Sequence, residues 1–263
     1  MPVADISKHK RVNDNLLQSL ERPLLAWLAG RMPAWINSDM LTGFGVFGAV
    51  VIFFSYWLCR FHKGFLWLAT LGFVIHYFGD SLDGTLARFR HQERPHYGYF
   101  IDHTTDTFAM ILVFMGIGLS PYCKLSTGLL ALVGYLCLSI MVYLRTSLEG
   151  VFEISFGKVG PTEMRLVAVV LNTCIFFFGN PHFRTNFLKM GRVSALDIAG
   201  YVVSIVLIAA FAVATVRNGI VYARKDGERL RAKAGETLPQ AKDRAPSGRS
   251  GAGSSPSGKR RRG

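Results

Sequence analysis

Acidic residues are scarce in this chain. Only 17 of its 263 residues are Asp or Glu, against 30 Lys or Arg, and charged residues of both signs amount to 18%. A soluble domain usually carries about a quarter. Its four cysteines, Cys59, Cys123, Cys137 and Cys174, show neither the paired spacing of a zinc site nor that of a redox motif. Cys137 and Cys174 fall in apolar runs and read as packing residues. The opening residues, MPVADISKHKRVNDN, contain no apolar run leading to a cleavage site, so a removed signal peptide is not expected. No internal repeat is evident.

What fills the space is apolar. Half of the residues are hydrophobic and 20 are Phe. They bunch into runs of about 20 residues, the length that crosses a bilayer as a helix. The runs predict six spans, near 40–59, 64–87, 99–120, 125–145, 163–180 and 196–219. Ahead of them, Leu16, Leu20, Leu24, Trp27 and Leu28 recur at helical spacing opposite Asp14, Gln18, Glu21, Arg22 and Arg31. This predicts an amphipathic helix on the membrane surface, bent at Pro23. The expected architecture is therefore all-α and integral to a membrane: a polar N-terminus and amphipathic helix over 1–35, a six-helix domain over 36–223 and a basic, disordered tail over 224–263.

The net charge is +13, and the tail after Ala223 holds twelve Lys or Arg against four Asp or Glu. In a membrane protein such a tail points to anionic lipid rather than to nucleic acid. Placing the N-terminus inside gives eleven basic residues to the inner segments and six to the outer loops before the tail is counted. That imbalance predicts a multi-pass protein with both termini cytoplasmic. It also puts Cys59 and Cys123 on one outer side, where a disulfide between them is permitted.

The scarce acids are concentrated in GDSLDGTLARFRHQERPHYGYFIDHTTD, residues 79–106. On a helix, Asp80, Asp83, Gly84 and Ala87 share one face; Gly98, Asp102 and Asp106, spaced by four, form one stripe. At ~1.5 Å per residue all four aspartates lie within about 12 Å of the same, cytoplasmic, membrane boundary. Two antiparallel helices joined by a short loop would bring the stripes face to face. Unpaired carboxylates there would repel one another and resist desolvation. A divalent cation resolves this, and hard oxygen ligands favour Mg²⁺ or Mn²⁺ together with substrate phosphates. Gly84 and Ala87 leave a shallow floor on the acidic face. The bland alternative is a helix-end acid cluster solvated by water.

This stretch resembles the signature of the CDP-alcohol phosphotransferase family, D-x2-D-G-x2-A-R, a gap, then G-x3-D-x3-D. Asp80, Asp83, Gly84, Ala87, Arg88, Gly98, Asp102 and Asp106 match all of its fixed positions. The nine residues between Arg88 and Gly98 are slightly more than the family's usual gap. The resemblance implies an enzyme in which an acceptor hydroxyl attacks a CDP-linked donor and CMP leaves. It implies two Mg²⁺ or Mn²⁺ ions on the four aspartates, with Asp106 also the base. Gly84, Ala87 and Arg88 would contact the donor. Members often open the first span with Pro-Asn-x-Leu-Thr; here it reads Ser38-Asp39-Met40-Leu41-Thr42, so Asp39 and Thr42 join the donor set, or else cap the helix. In FGKVGPTEMR, Lys158, Glu163 and Arg165 face the same side and would bind a phosphate, or else anchor the membrane boundary. His103 makes FIDHTTD similar to aminoalcohol phosphotransferases, and His76 shares the acidic face. A homodimer through spans three and four is a further implication.

Within the family, the expected donor is CDP-diacylglycerol with a small polar acceptor, in a bacterial inner membrane. The alternative moves a headgroup phosphate from a CDP-alcohol to a lipid hydroxyl. A divalent-cation transporter is a different class, but its acids belong near the bilayer midplane, whereas these keep to one face. A non-catalytic scaffold would not need every signature residue.

Overall fold

The computed structural model describes residues 10–12, 18–149, 151–153, 161–185 and 191–242. They form seven helices: α1 (Gln18–Arg31), α2 (Ser38–Leu58), α3 (Phe65–Phe89), α4 (Pro95–Leu119), α5 (Leu125–Glu149), α6 (Pro161–Phe178) and α7 (Ala195–Lys242). Two small ribbons accompany them: β1 (Lys10–Val12) beside β2 (Val151–Glu153), parallel, and β3 (His182–Thr185) beside β4 (Gly191–Ser194), antiparallel. The chain divides into two units, one to Ala214 and one from Thr215.

Among the described residues five helices are long and apolar enough to cross a membrane: α2, α3, α4, α5 and, within α7, Ala195–Ala234. The sequence predicts six, and α6 is the one not among them. It has 18 residues, and Glu163 and Arg165 leave its apolar stretch short. At the other end, α7 runs to Lys242, past the boundary at 224 where composition predicts a disordered tail. The reason is local. Between 224 and 242 Ala, Arg, Lys, Glu and Gln, all good helix formers, outnumber Gly227, Gly235 and Pro239. In this second unit Arg217, Arg224, Lys225, Arg229, Arg231 and Lys233 are exposed. Residues 243–263 lie outside the described set.

The centre of the first unit is the α2–α3 pair. Asn37 caps α2 by accepting the Met40 N–H at 2.9 Å. The two helices then meet backbone to backbone through Gly45 and Gly48 on α2 and Gly72 and Gly79 on α3. A Cβ on Gly79 would sit 2.6 Å from both Gly45 Cα and Leu41 O, and one on Gly48 would sit 2.5 Å from His76 N. Small residues permit this approach where no hydrophobic effect draws helices together. Around the pair, Ile52, Tyr56, Leu66, Ala69, Phe73 and Val113 form one buried cluster; Ala29, Leu41, Leu82 and Leu86 bring α1 onto the other end.

Polar contacts set the register of α6. Tyr56 donates to Asn172 Oδ1 at 2.7 Å, and Asn172 donates to Thr70 Oγ1 at 3.2 Å. Two turns earlier on α6, and ten residues later on α3, Arg165 meets Asp80. The two helices are therefore antiparallel, and the Asn172 link determines which residue of α6 reaches the acidic face.

One carboxylate ties α5 to α7. Asp197, 2% exposed, accepts four hydrogen bonds. Lys124 N (2.7 Å) and Thr127 Oγ1 (3.0 Å) come from the start of α5; Ser194 N and Ser194 Oγ (both 3.0 Å) come from the entry to α7. Ser194 Oγ in turn accepts the Asp197 N–H at 2.9 Å, completing a capping box. Hydrogen bonds to a charged group are worth more than neutral ones. Asp197→Ala, which strands these donors, is expected to cost about 3 kcal/mol, read as a lowered midpoint of thermal unfolding in detergent.

All four cysteines are free, and Cys59 and Cys123 are buried thiols rather than a disulfide. Burial pushes Cys59 up to about 11 and, with Asp197 adding to it, Cys123 up to about 12. Neither carries the thiolate that exchange chemistry needs.

Candidate metal and nucleotide site

Of the α3 stripe, Asp80 meets both aspartates of the α4 stripe. Oxygens of Asp80, Asp102 and Asp106 all lie within 4.8 Å of one another. Among the described residues this is the one grouping of acids able to share an ion. Three hard carboxylates from two helices, partly buried, fit Mg²⁺ or Mn²⁺ by donor type.

Asp83, the fourth aspartate of the pattern, stands apart from this trio. Thr42 donates to its Oδ2 at 2.6 Å and the Gly84 N–H to its Oδ1 at 2.5 Å, while Ser38 Oγ donates to its carbonyl at 2.9 Å. The glycine contact between α2 and α3 is what brings Ser38 and Thr42 into reach. Thr42 thus touches an aspartate of the signature.

Arg165 enters the cluster from α6. Its Nη2 donates to Asp80 Oδ2 at 2.5 Å and lies 3.4 Å from His76 Nε2. His76 Nδ1 is 3.0 Å from Gly45 O. A carbonyl only accepts, so Nδ1 carries the proton and Nε2 turns its lone pair to Arg165. His76 therefore links the α2 backbone to the arginine. Three carboxylates this close repel one another, and Arg165 meets the one on Asp80.

The same network reaches α1. Glu21 Oε1 accepts from Tyr77 at 2.9 Å and from Thr162 at 2.7 Å, and Arg165 lies 5.9 Å from the centroid of the Tyr77 ring. His103, on α4, lies between aromatic rings at the edge of the aspartate stripe. Its ring stacks on Tyr99 at 4.1 Å and tilts against Tyr143 at 5.0 Å, with Nδ1 3.6 Å from Asp102 Oδ2. Lys158 lies outside the described residues.

Between the start of α2 and the end of α3 is a cavity of about 440 Å³ lined by Asn37, Ser38, Asp39, Leu86, Ala87, Arg90, Gln92, Glu93 and Arg94. Gly84, one turn before Ala87, has only the Arg88 side chain near the place of a Cβ, at 3.4 Å. Arg88 itself donates to Thr85 Oγ1 at 3.2 Å. Of the donor contacts expected from sequence, Asp39 and Ala87 line the cavity, and Gly84, Arg88 and Thr42 do not.

The far wall comes from the α3–α4 loop, which sequence reading leaves unassigned. α3 ends in a Schellman turn, with Gln92 N bonded to Ala87 O at 2.9 Å and His91 N to Arg88 O at 3.1 Å. His91 occupies the left-handed position, φ 54°, where glycine is usual. Arg90 then binds three carbonyls of the α1–α2 connection, Ile36 O (2.5 Å), Met32 O (3.1 Å) and Pro33 O (2.9 Å). Arg94 Nη2 pairs with Asp39 Oδ1. These partners are more than 50 residues apart in sequence. The local hints are a loop with two arginines and, far from it in sequence, an acid in the first turn of α2.

The sequence pattern of the CDP-alcohol phosphatidyltransferases, described by that name, matches residues 35–223. A phosphatidylinositol phosphate synthase of Cutibacterium acnes is 35% identical over 88 residues, which are 33% of this chain and 39% of that protein. The similarity thus spans well under half of that relative's length.

Proposed function

The chain belongs to the CDP-alcohol phosphatidyltransferase family, and from that membership we propose that it makes a phospholipid by transfer from a CDP-linked donor, CDP-diacylglycerol, to an acceptor alcohol. The observation that carries the proposal is the meeting of Asp80, Asp102 and Asp106 within 4.8 Å. These three, with Asp83 as the fourth ligand, would hold two Mg²⁺ or Mn²⁺ ions. When bound, the ions neutralise charge on the donor's diphosphate and on the departing CMP.

The chain's own residues then divide the work. Asp106 takes the proton of the acceptor hydroxyl as that oxygen bonds to the phosphorus distal to cytidine. The bond from that phosphorus to the bridging oxygen breaks, and CMP carries the electron pair away. Gly84 and Ala87 form the floor under the donor; Arg88, Asp39 and Thr42 contact it. Arg165, oriented by His76 and Asp80, suits an acceptor that carries its own phosphate, with Lys158 and His103 as further contacts. The relative's named product, a phosphatidylinositol phosphate, is a lipid of that kind.

In this reading α6 is a span as well, the fifth of six, and α1 lies on the membrane surface. The termini and the site face the cytoplasm of a bacterial inner membrane. A second copy docks along α4 and α5.

The test is CMP release from purified protein in proteoliposomes containing CDP-diacylglycerol, over a panel of acceptor alcohols with and without a phosphate. Release should require Mg²⁺ or Mn²⁺, stop with EDTA and be fastest with a phosphorylated polyol. No CMP from any CDP-lipid with any acceptor would overturn the proposal.

A further inference from the structure

One acid of α1 is turned inward. Glu21 lies in the first turn of α1, where the sequence pattern sets it opposite the leucines. In the structure Leu24 and Trp27 are exposed, whereas Leu25, Leu28 and Ala29 pack with Leu82 and Leu86 of α3. Glu21 is half-buried. Its Oε1 accepts hydroxyls from two other helices, Tyr77 of α3 at 2.9 Å and Thr162 of α6 at 2.7 Å.

Each of these hydroxyls stands three residues from a member of the acidic site. Tyr77 precedes Asp80 on α3, and Thr162 precedes Arg165 on α6, the spacing that puts two side chains on one helix face. The Tyr77 ring also lies 5.9 Å from the Arg165 guanidinium. Arg165 reaches Asp80 and His76 through Nη2, while its buried Nε meets no acceptor among the described residues. A guanidinium held at one corner takes its direction from the helix turn that carries it.

We propose that Glu21 is a positioning residue for the acceptor: by tying Thr162 to Tyr77 it fixes the first turn of α6, and with it the direction in which Arg165 meets the acceptor's phosphate. The inference rests on the reading of Arg165 given above and adds the residue that steadies it. Asn172 sets which residue of α6 reaches the acids; Glu21 sets the angle at which that residue arrives. The apolar contacts of α1 with α3 do not involve Glu21, so its replacement should leave α1 docked and the chain folded. The effect should fall on one substrate only.

The experiment titrates inositol phosphate and glycerol phosphate, two phosphorylated polyols, into the full-length protein in detergent, by calorimetry, with CMP and Mn²⁺ as a parallel titration. The wild type should bind at least one polyol phosphate. Glu21→Ala should weaken that binding about tenfold, the scale on which partners that orient a binding side chain act, and leave CMP affinity unchanged. Glu21→Gln should restore it, because an amide oxygen accepts from both hydroxyls. Thr162→Val should weaken it several-fold, and adding Thr162→Val to Glu21→Ala should cost little more, the mark of two residues acting as one unit. Arg165→Lys, which keeps the charge beside Asp80 and loses the fork, should weaken polyol phosphate at least as much as Glu21→Ala does. A Glu21→Ala protein that keeps its polyol phosphate affinity, or loses CMP in equal measure, would overturn the inference while leaving the reading of Arg165 intact. A wild type that binds neither polyol phosphate, or an Arg165→Lys protein that binds them as the wild type does, would overturn both.

Discussion

Asp106→Asn is expected to abolish CMP release, lowering turnover by roughly 10³-fold or more, while the protein still inserts and elutes as the wild type does. Two losses combine. The amide cannot take the acceptor's proton, and a positioned base alone contributes about 10²–10⁴-fold. It is also a weaker ligand than a carboxylate, and Asp106 is one of three acids whose oxygens lie within 4.8 Å. The two losses separate by measurement. Mn²⁺ affinity, read by electron paramagnetic resonance, should fall modestly, whereas turnover should stay low even at saturating Mn²⁺. Restored turnover at high Mn²⁺ would make Asp106 a ligand only, and an active variant at ordinary Mn²⁺ would remove it from both roles.

Gly79→Ala is the second large effect, and it is produced by one methyl group. The new Cβ would stand 2.6 Å from Gly45 Cα and from Leu41 O. Both are helix backbone, so no rotamer relieves the clash and α2 must move off α3. The cost should reach about 3 kcal/mol, the upper part of the usual range for overpacking. The site should suffer more than the fold. Thr42 and Ser38 reach Asp83 only across this contact, and His76 reaches Gly45 O only across it. Gly43→Ala is the control. It lies on the facing helix, α2, with nothing within 4 Å of the added atom, and replacing a helical glycine should gain roughly 0.5–1 kcal/mol. Thermal unfolding and CMP release, measured side by side, should move down together for Gly79→Ala. Gly43→Ala should leave release unchanged, and equal behaviour of the two variants would refute the close-contact argument.

What is legible in the sequence is what short-range periodicity encodes. The helices appear because apolar runs of bilayer length leave few alternatives. The convergence of Asp80, Asp102 and Asp106 follows from two stripes with helical spacing on either side of a short loop. Pairings across distance leave no such trace. Arg165 meets Asp80 at a separation of 85 residues, set by the Asn172 link to Thr70 and Tyr56, and nothing in PTEMR announces it. Asp83 reads as the equal of the other three aspartates, yet Thr42 draws its carboxylate towards α2. Arg90 and Arg94 look like two boundary charges, and their partners lie on the connection before α2 and on its first turn. α7 outruns the expected tail boundary because a charged segment rich in helix formers lacks the apolar content that marks a span, but not the propensity to continue a helix.

The Asp197 knot bears on the order in which the chain can finish folding. Synthesis runs from the N-terminus, so the first turn of α5 is made long before its acceptor. Lys124 N waits for a carboxylate 73 residues downstream, and the Thr127 hydroxyl for the same group 70 residues on. Between them the ribosome must deliver all of α6 and both strands of the second ribbon. A nascent chain stopped between the end of α5 and residue 194 holds α2, α3 and α4 complete, acids included. It also holds an α5 whose leading amides are still untied.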